Sequence, residues 1–280
     1  MKAKHPPLVV ISDTHCGCQL GLCPSKGIRL DEGGFYKPNA TQRAIWEFWK
    51  EFWGSWVPKV IKGKTFSLVL NGDSIDGRHH QSTHQFSQNL ADQETVAYEC
   101  LSPIVEKCHK SGGNFYMVRG TEAHVGPSGE GEESLAKALK AKRNKFHQYS
   151  RYDLWIRVGS GLVHLLHTLG TTGSQAYEAT APHKEMIEEY AEAARWRDIP
   201  PDCIVRSHRH RCYIGDIPAA GGRHAISVVT PSWQAKTPFA YRTAGARLSP
   251  PQFGGIVIKE YDDGLYTRAW VKTIGRSATE

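Results

Sequence analysis

Apolar and polar positions along the chain fall into a small number of repeated patterns. Leu8-Val9-Val10-Ile11 is an unbroken aliphatic run, which predicts a central strand buried on both faces. The pattern returns at Leu68-Val69-Leu70, at Asn114-Phe115-Tyr116-Met117-Val118 and at Cys203-Ile204-Val205-Arg206. Leu154-Trp155-Ile156-Arg157-Val158 and Leu162-Val163-His164-Leu165-Leu166-His167 read as a hairpin closed at Gly159-Ser160-Gly161. Helical spacing predicts helices from near Thr41 to Trp56 and over 90–108, 132–145 and 183–196. The first has Asn39 or Thr41 as its cap. Its apolar side, Ile45, Trp46, Phe48, Trp49, Phe52, Trp53 and Trp56, reads as a packing stripe in preference to a base-stacking platform. The second sets Asp92, Glu94 and Glu99 on its wet side. The third is acidic at its start and basic at its end, which suits the helix dipole and a solvated face. That basic end is also a contact for a polyanion. Alternating stretches over 225–229 and 255–261, with a turn at Asp262-Asp263-Gly264, predict antiparallel strands of a second sheet.

The ends of the apolar runs carry the chemistry. Leu68-Val69-Leu70-Asn71 breaks at Gly72, and two carboxylates, Asp73 and Asp76, follow. Asp73 then sits at the carboxyl edge of a sheet, where α/β folds bind ligands. Two carboxylates so close repel unless a cation or proton holds them, and we read Asp73 as bridging two metal ions; taken alone, the stretch equally fits Asp73 as a simple turn or N-cap residue. Asp13 and His15 alternate at the end of the first run, on one side of an extended segment. They can grip one ion, or form a polar turn. His208 and His210 repeat that spacing, and His167 ends the hairpin. Beyond Asp76, Arg78, His79 and His80 either hold substrate phosphate, Arg78 through charge-assisted hydrogen bonds, or form a solvated loop. Residues 16–39 read as a loop over the site. Cys16, Cys18 and Cys23 suggest a zinc knot, but no second pair follows.

Totals narrow the class. The chain has 280 residues, enough for a sizeable core, and shows no repeat, low-complexity segment or long linker. One domain over 1–280, with a loop insertion near 16–40, is expected. No run reaches membrane-span length and the N-terminus lacks a signal-peptide core, so no membrane partner is expected. The seven scattered cysteines suit reduced thiols in a cytoplasmic setting. A net charge of +7 favours anionic partners. The 14 histidines offer metal ligands and proton donors near neutral pH.

Taken together, Asp13-Thr14-His15, Gly72-Asp73-Ser74-Ile75-Asp76, Gly120-Thr121-Glu122-Ala123-His124, His167 and Ser207-His208-Arg209-His210 resemble the motif series of the calcineurin-like metallophosphoesterase family. The resemblance spans roughly residues 8–212. It implies an α/β fold, a four-layer α-β-β-α sandwich of two mixed sheets flanked by helices. It also implies two divalent ions, manganese first and iron, zinc or nickel as alternatives. Asp13, His15, Asp73 and His210 would surround the first ion; Asp73, His167 and His208 would surround the second. The family's third motif carries an adjacent Asn-His pair. Here Thr121 or Glu122 would take the asparagine's place as a ligand, unless water does, and His124 would be the catalytic histidine. Ser207 replaces a glycine, a small change. Asp76 would orient ligands. The altered third motif, the His79-His80 pair and Thr230-Pro231-Ser232-Trp233-Gln234 look like phage- or prophage-encoded members.

The expected activity is phosphate-ester hydrolysis by an activated hydroxide, on a phosphodiester, with nucleic acid as the favoured substrate. The alternatives are a small-molecule phosphomonoesterase and a binding or scaffold protein that keeps the fold. Oligomeric state is not legible.

Overall fold

The computed structural model describes residues 6–79, 81–170, 174–219, 223–242, 248–261 and 264–275. In chain order, β1 (Leu8–Ile11) precedes a short ribbon of β2 (Ile28–Arg29) and β3 (Phe35–Tyr36). β4 (Ser67–Asn71), β5 (Phe115–Val118) and β6 (Ser150–Arg151) follow, then the hairpin β7 (Asp153–Val158) and β8 (Gly161–Leu166). β9 (Cys203–Arg206), β10 (Tyr213–Pro218), β11 (His224–Val229), β12 (Gln252–Tyr261) and β13 (Gly264–Thr273) complete the set. Six strands form one sheet in the order β13-β12-β1-β4-β5-β6, and five form another in the order β10-β11-β9-β8-β7. Both sheets are mixed. β1, β4, β5 and β6 run parallel, β8, β9 and β11 run parallel, and the remaining pairs are antiparallel.

Strand alternation explains the layering. Leu8, Val10 and Val69 point to one side and meet Val163, Leu165, Cys203, Val205, Ile226 and Val228 of the other sheet in a shared core. Val9, Ile11, Leu68 and Leu70 point the other way, onto helices. Those helices are α1 (Ala40–Glu51), its π-helical continuation (Phe52–Trp56), α2 (Val57–Ile61) and α3 (Leu90–Lys110). Two more elements follow on this part of the chain, a single turn α4 (Glu122–Val125) and α5 (Glu130–Ala138). On the outer face of the second sheet, Met186 of α6 (Thr180–Trp196) packs on Ile204 and Ala225. A short α7 (Pro238–Arg242) follows β11. The result is the expected α-β-β-α sandwich of two mixed sheets.

Asn39 caps α1 in a capping box with Gln42. The tryptophan stripe is packing: Trp49, Phe52 and Trp53 are buried together with Trp233 and Trp270. Four sequence readings need correction. The 255–261 strand lies in the first sheet, antiparallel to β1, because its two apolar faces fit between β1 and β13. The 225–229 strand lies in the second sheet and is antiparallel to β10 as expected, but on its other side it runs parallel to β9. The helix expected over 132–145 stops at Ala138. Asp92 is buried, not wet: it accepts hydrogen bonds from the Asp31 backbone N–H at 2.7 Å and the Ser87 hydroxyl at 2.5 Å. Asp262 and Asp263 of the expected turn lie outside the described residues.

Candidate metal centre

The two sheets deliver their strand ends to one place. β1 pairs with β4 in parallel, Ile11 opposite Leu70, so the residues that follow leave the sheet side by side. Asp13 N–H donates to Gly72 O at 3.0 Å, and His15 N–H to Asp73 O at 3.1 Å. Asp13, His15, Asp73, His208 and His210 all have positive φ, between 41° and 68°. A non-glycine residue in this region costs about 1–3 kcal/mol. Half of the described non-glycine residues with positive φ belong to this one cluster. The strain aims five side chains inward that a continuing strand would send to alternate faces.

Three groups of donor atoms result, each within 4.8 Å: Asp13 with His15 and His210, His15 with Asp76 and His124, and Asp73 with His167 and His208. His210 Nε2 lies 3.2 Å from Asp13 Oδ1, and His15 Nε2 lies 3.1 Å from His210 Nε2. Asp73 Oδ2 lies 2.9 Å from His167 Nε2, 3.9 Å from His208 Nδ1 and 4.0 Å from His124 Nε2. Asp13, Asp73 and Asp76 are each 1% exposed or less. Three carboxylates so deep require compensating positive charge. Asp13 Oδ1 is buried with no well-directed hydrogen bond. His167 Nδ1 is held by Asn71 O at 2.6 Å, and His15 Nδ1 lies 3.2 Å from Asp76 Oδ1. Both leave Nε2 facing the cluster, the arrangement metal-binding histidines adopt. The mixed carboxylate and imidazole set fits first-row divalent ions.

Charge is unevenly poised. Burial works against the charged form of Asp13, yet His210 and His167 overcome it and hold its pKa down at about 2. Asp73 is likewise held well below the carboxylate range by His167 and His124 against the effect of burial. His167 is the counterpart: burial opposes its charge, but Asp73 and Asp13 raise its pKa to about 10. Glu132 is raised to about 7, chiefly by burial. Both groups bind protons more tightly folded than unfolded. Their contribution is therefore complete below the unfolded values of 6.5 and 4.5 and lost as pH climbs through about 10 and about 7. In EDTA, the urea midpoint should fall as pH rises from 6.5 to 10, and saturating divalent metal should flatten that decline by replacing the His167 proton. A midpoint independent of pH in EDTA would contradict this arrangement.

Supporting residues reach the cluster from distant segments. Asp76 accepts from Gln85 Nε2 at 2.6 Å and Gln234 Nε2 at 3.1 Å while facing His15. Glu132, fully buried, receives Ser74 N–H at 3.0 Å and Gly120 N–H at 2.7 Å, clamping the loops after β4 and β5. Ser207 Oγ bonds Thr230 Oγ1 and Asn71 Nδ2, both at 2.7 Å, and Ser12 Oγ bonds Thr230 Oγ1 at 2.7 Å. This buried polar seam joins the two sheets, so Ser207 is a connecting group and not merely a small one.

Of the other site candidates, Thr121 stands against Asp73: its N–H donates to Asp73 Oδ1 at 2.8 Å and its hydroxyl lies 3.2 Å from the same oxygen. Glu122 is exposed and belongs to none of the three donor groups. His124 is anchored through Nδ1 to Asp76 O at 2.6 Å, and burial lowers its pKa to about 4. His79 sits 3.4 Å from Asp76 Oδ2 with its ring against that of His124. Arg78 is exposed and bonds the Gln88 carbonyl, away from the cavity. His80 lies outside the described residues. Cys16, Cys18 and Cys23 are buried free thiols, and no donor group includes them. Sequence reasoning missed Glu132, Gln85, Asn71 and Ser12. Only Asn71, next to Gly72-Asp73, carried a local signal.

The cluster floors a cavity of about 640 Å³ whose wall includes Arg209, Arg211, Lys236 and Arg242. That volume is in the range of drug-sized ligands, and the cations suit an anion. No helix of the described residues is long and apolar enough to cross a membrane.

No family model matches the chain, and no curated protein matches it. Among solved structures, it is similar to an archaeal phosphodiesterase at 9% identity, over 94% of this chain and 99% of that one, with a TM-score of 0.42. Vps29 of Chaetomium thermophilum is similar at 12% identity, over 98% of each chain, with a TM-score of 0.38. SoxB, a sulfate thiohydrolase of Thermus thermophilus, is similar at 12% identity over 96% of this chain and 56% of that one, with a TM-score of 0.37. At such distances the likeness carries no functional weight; the side chains do.

Proposed function

We propose that this chain is a dinuclear metallophosphoesterase of the calcineurin-like kind that hydrolyses phosphodiesters. One observation carries the reading. Donor atoms of Asp13, His15, Asp73, His167, His208 and His210, drawn from four strand ends of two sheets, gather at one end of a cavity whose floor His15, Asp73, His208 and His210 line. Asp13, His15 and His210 would hold one ion, His167 and His208 another, with Asp73 shared. Thr121, seated on Asp73, takes the place of the family's asparagine. Two divalent ions bound there supply Lewis acidity to a phosphoryl oxygen and to the attacking water.

The chain's own groups do the rest. Asp76 fixes the ring of His15. Arg209, Arg242 and Lys236 of the cavity wall would balance the anionic substrate, Arg211 being paired with Glu178 of the same wall. The Nδ1–H of His124, donated to the Asp76 carbonyl, leaves Nε2 facing the cavity, where it can present a proton to the departing alkoxide. An anionic phosphoryl group beside it favours the charged imidazole. His124→Ala should therefore lower turnover by about 10²–10⁴-fold and leave the bound metal unchanged by elemental analysis. Loss of an ion in this variant would make His124 a ligand.

The test of the whole reading is hydrolysis of bis(p-nitrophenyl) phosphate after loading with manganese, iron, zinc or nickel. No hydrolysis with any of the four would point to a protein that keeps the fold and binds without catalysis.

A further inference from the structure

Between Lys137 and Tyr152 the chain carries Lys137, Lys140, Lys142, Arg143, Lys145 and Arg151 and no acidic residue. The first five are exposed. Arg119 pairs with Glu133 at 3.6 Å, but among the described residues none of the six has such a partner. Aromatic rings lie among them instead. Arg143 sits 4.6 Å from the centre of the Tyr149 ring and Lys145 5.1 Å from Phe146. Arg151 is 5.4 Å from Tyr116, and Arg119 is 4.8 Å from Tyr152. Phe146 and Tyr152 are 70% and 68% exposed. Single exposed aromatics are ordinary; two held out among seven cations are not explained by packing.

The segment is also a built one. Asn144 Oδ1 accepts from the backbone N–H groups of Phe146 at 2.9 Å and Gln148 at 3.0 Å, while Asn144 N–H donates to Gln148 O. This turn projects Lys145 and Phe146 from the protein. Lys142 N–H bonds Phe115 O where β5 begins. Arg119 follows the end of β5, and Tyr152 follows β6 beside it. The stripe thus runs along the open edge of the first sheet and stops one residue short of Gly120-Thr121, the turn that touches Asp73.

Cations at intervals with ring faces between them match a strand whose phosphates and bases are both accessible. A duplex hides its base faces. A lipid surface needs apolar insertion but offers no rings to stack. We propose that Arg119 and residues 137–152 form a track for single-stranded nucleic acid, leading its backbone to the metal centre. This rests on the phosphodiesterase reading above.

Binding of a fluorescein-labelled oligodeoxythymidylate to the full chain, measured by anisotropy in EDTA, tests the track without catalysis. The double variant Arg143→Glu/Lys145→Glu should bind about tenfold or more weakly, with a shallower salt slope, roughly 0.7 less per lost phosphate contact. Phe146→Ala should weaken binding about tenfold, in line with the loss of one stacked base. Both variants should melt like the parent protein and hydrolyse bis(p-nitrophenyl) phosphate at its rate. Equal affinity in parent and variants, or tighter binding to phosphatidylserine vesicles than to the oligonucleotide, would overturn the track. Hydrolysis of the small diester without any oligonucleotide binding would remove the track and keep the enzyme. Residue-dependent binding without hydrolysis would do the opposite.

Discussion

Asp73→Asn is expected to lower phosphodiester turnover by about 10³-fold, the scale of several kcal/mol of lost Lewis-acid assistance. Its carboxylate is buried, lies 2.9 Å from His167 and 4.0 Å from His124, and accepts from Thr121. An amide keeps the volume but loses the charge and offers one oxygen instead of two. Elemental analysis should find the metal content of the variant reduced as well as its rate. The same variant has a signature without metal. Asp73 is the leading cause of the raised His167 pKa, so the fall in stability between pH 6.5 and 10 should shrink. Retained turnover with full metal content would show that Asp73 is not the shared ligand.

The second large effect concerns Gly72. Its φ is +80°, and a methyl carbon placed there would lie 2.4 Å from His167 Nδ1 and 2.7 Å from Gly120 Cα. Gly72→Ala therefore combines a strained backbone, about 1–3 kcal/mol, with forced overpacking, about 1–3 kcal/mol. A loss of roughly 2–6 kcal/mol should appear in the urea midpoint. Because the clash falls on the His167 ring, metal affinity should drop with it. A near-native midpoint would mean that the loop can move His167 aside without penalty.

What could be read from the sequence and what could not follows from the range of the forces involved. The strands ending at Ile11, Asn71, Val118 and Arg206 were legible because a strand buried on both faces needs an unbroken apolar run. The polar residues after each run had no place in a core, so their chemistry stood out. The convergence of Asp13, His15, Asp73, His167, His208 and His210 was predictable as a pattern, though not the left-handed turns that aim all of them but His167. Glu132 was hidden because its partners, Ser74 and Gly120, are 58 and 12 residues away. An acidic residue in a first helical turn looks solvated unless those partners are known. Asp92 was misread for the same reason. Gln85 and Gln234 carry no charge and no periodicity, so nothing in the chain announced that they grip Asp76. The 255–261 strand was put in the wrong sheet because its alternation cannot say that it pairs with β1, some 250 residues earlier.

In the proposed assignment, neither ion would draw all its ligands from one sheet. Asp13 and His15 leave one sheet and His210 the other; Asp73 leaves the first, while His167 and His208 leave the second. Each ion would thus act as a rivet through both plates of the sandwich. A fragment containing only the first plate would keep no more than the group of His15, Asp76 and His124, so both of the proposed ion sites would be gained or lost with the closing of the fold.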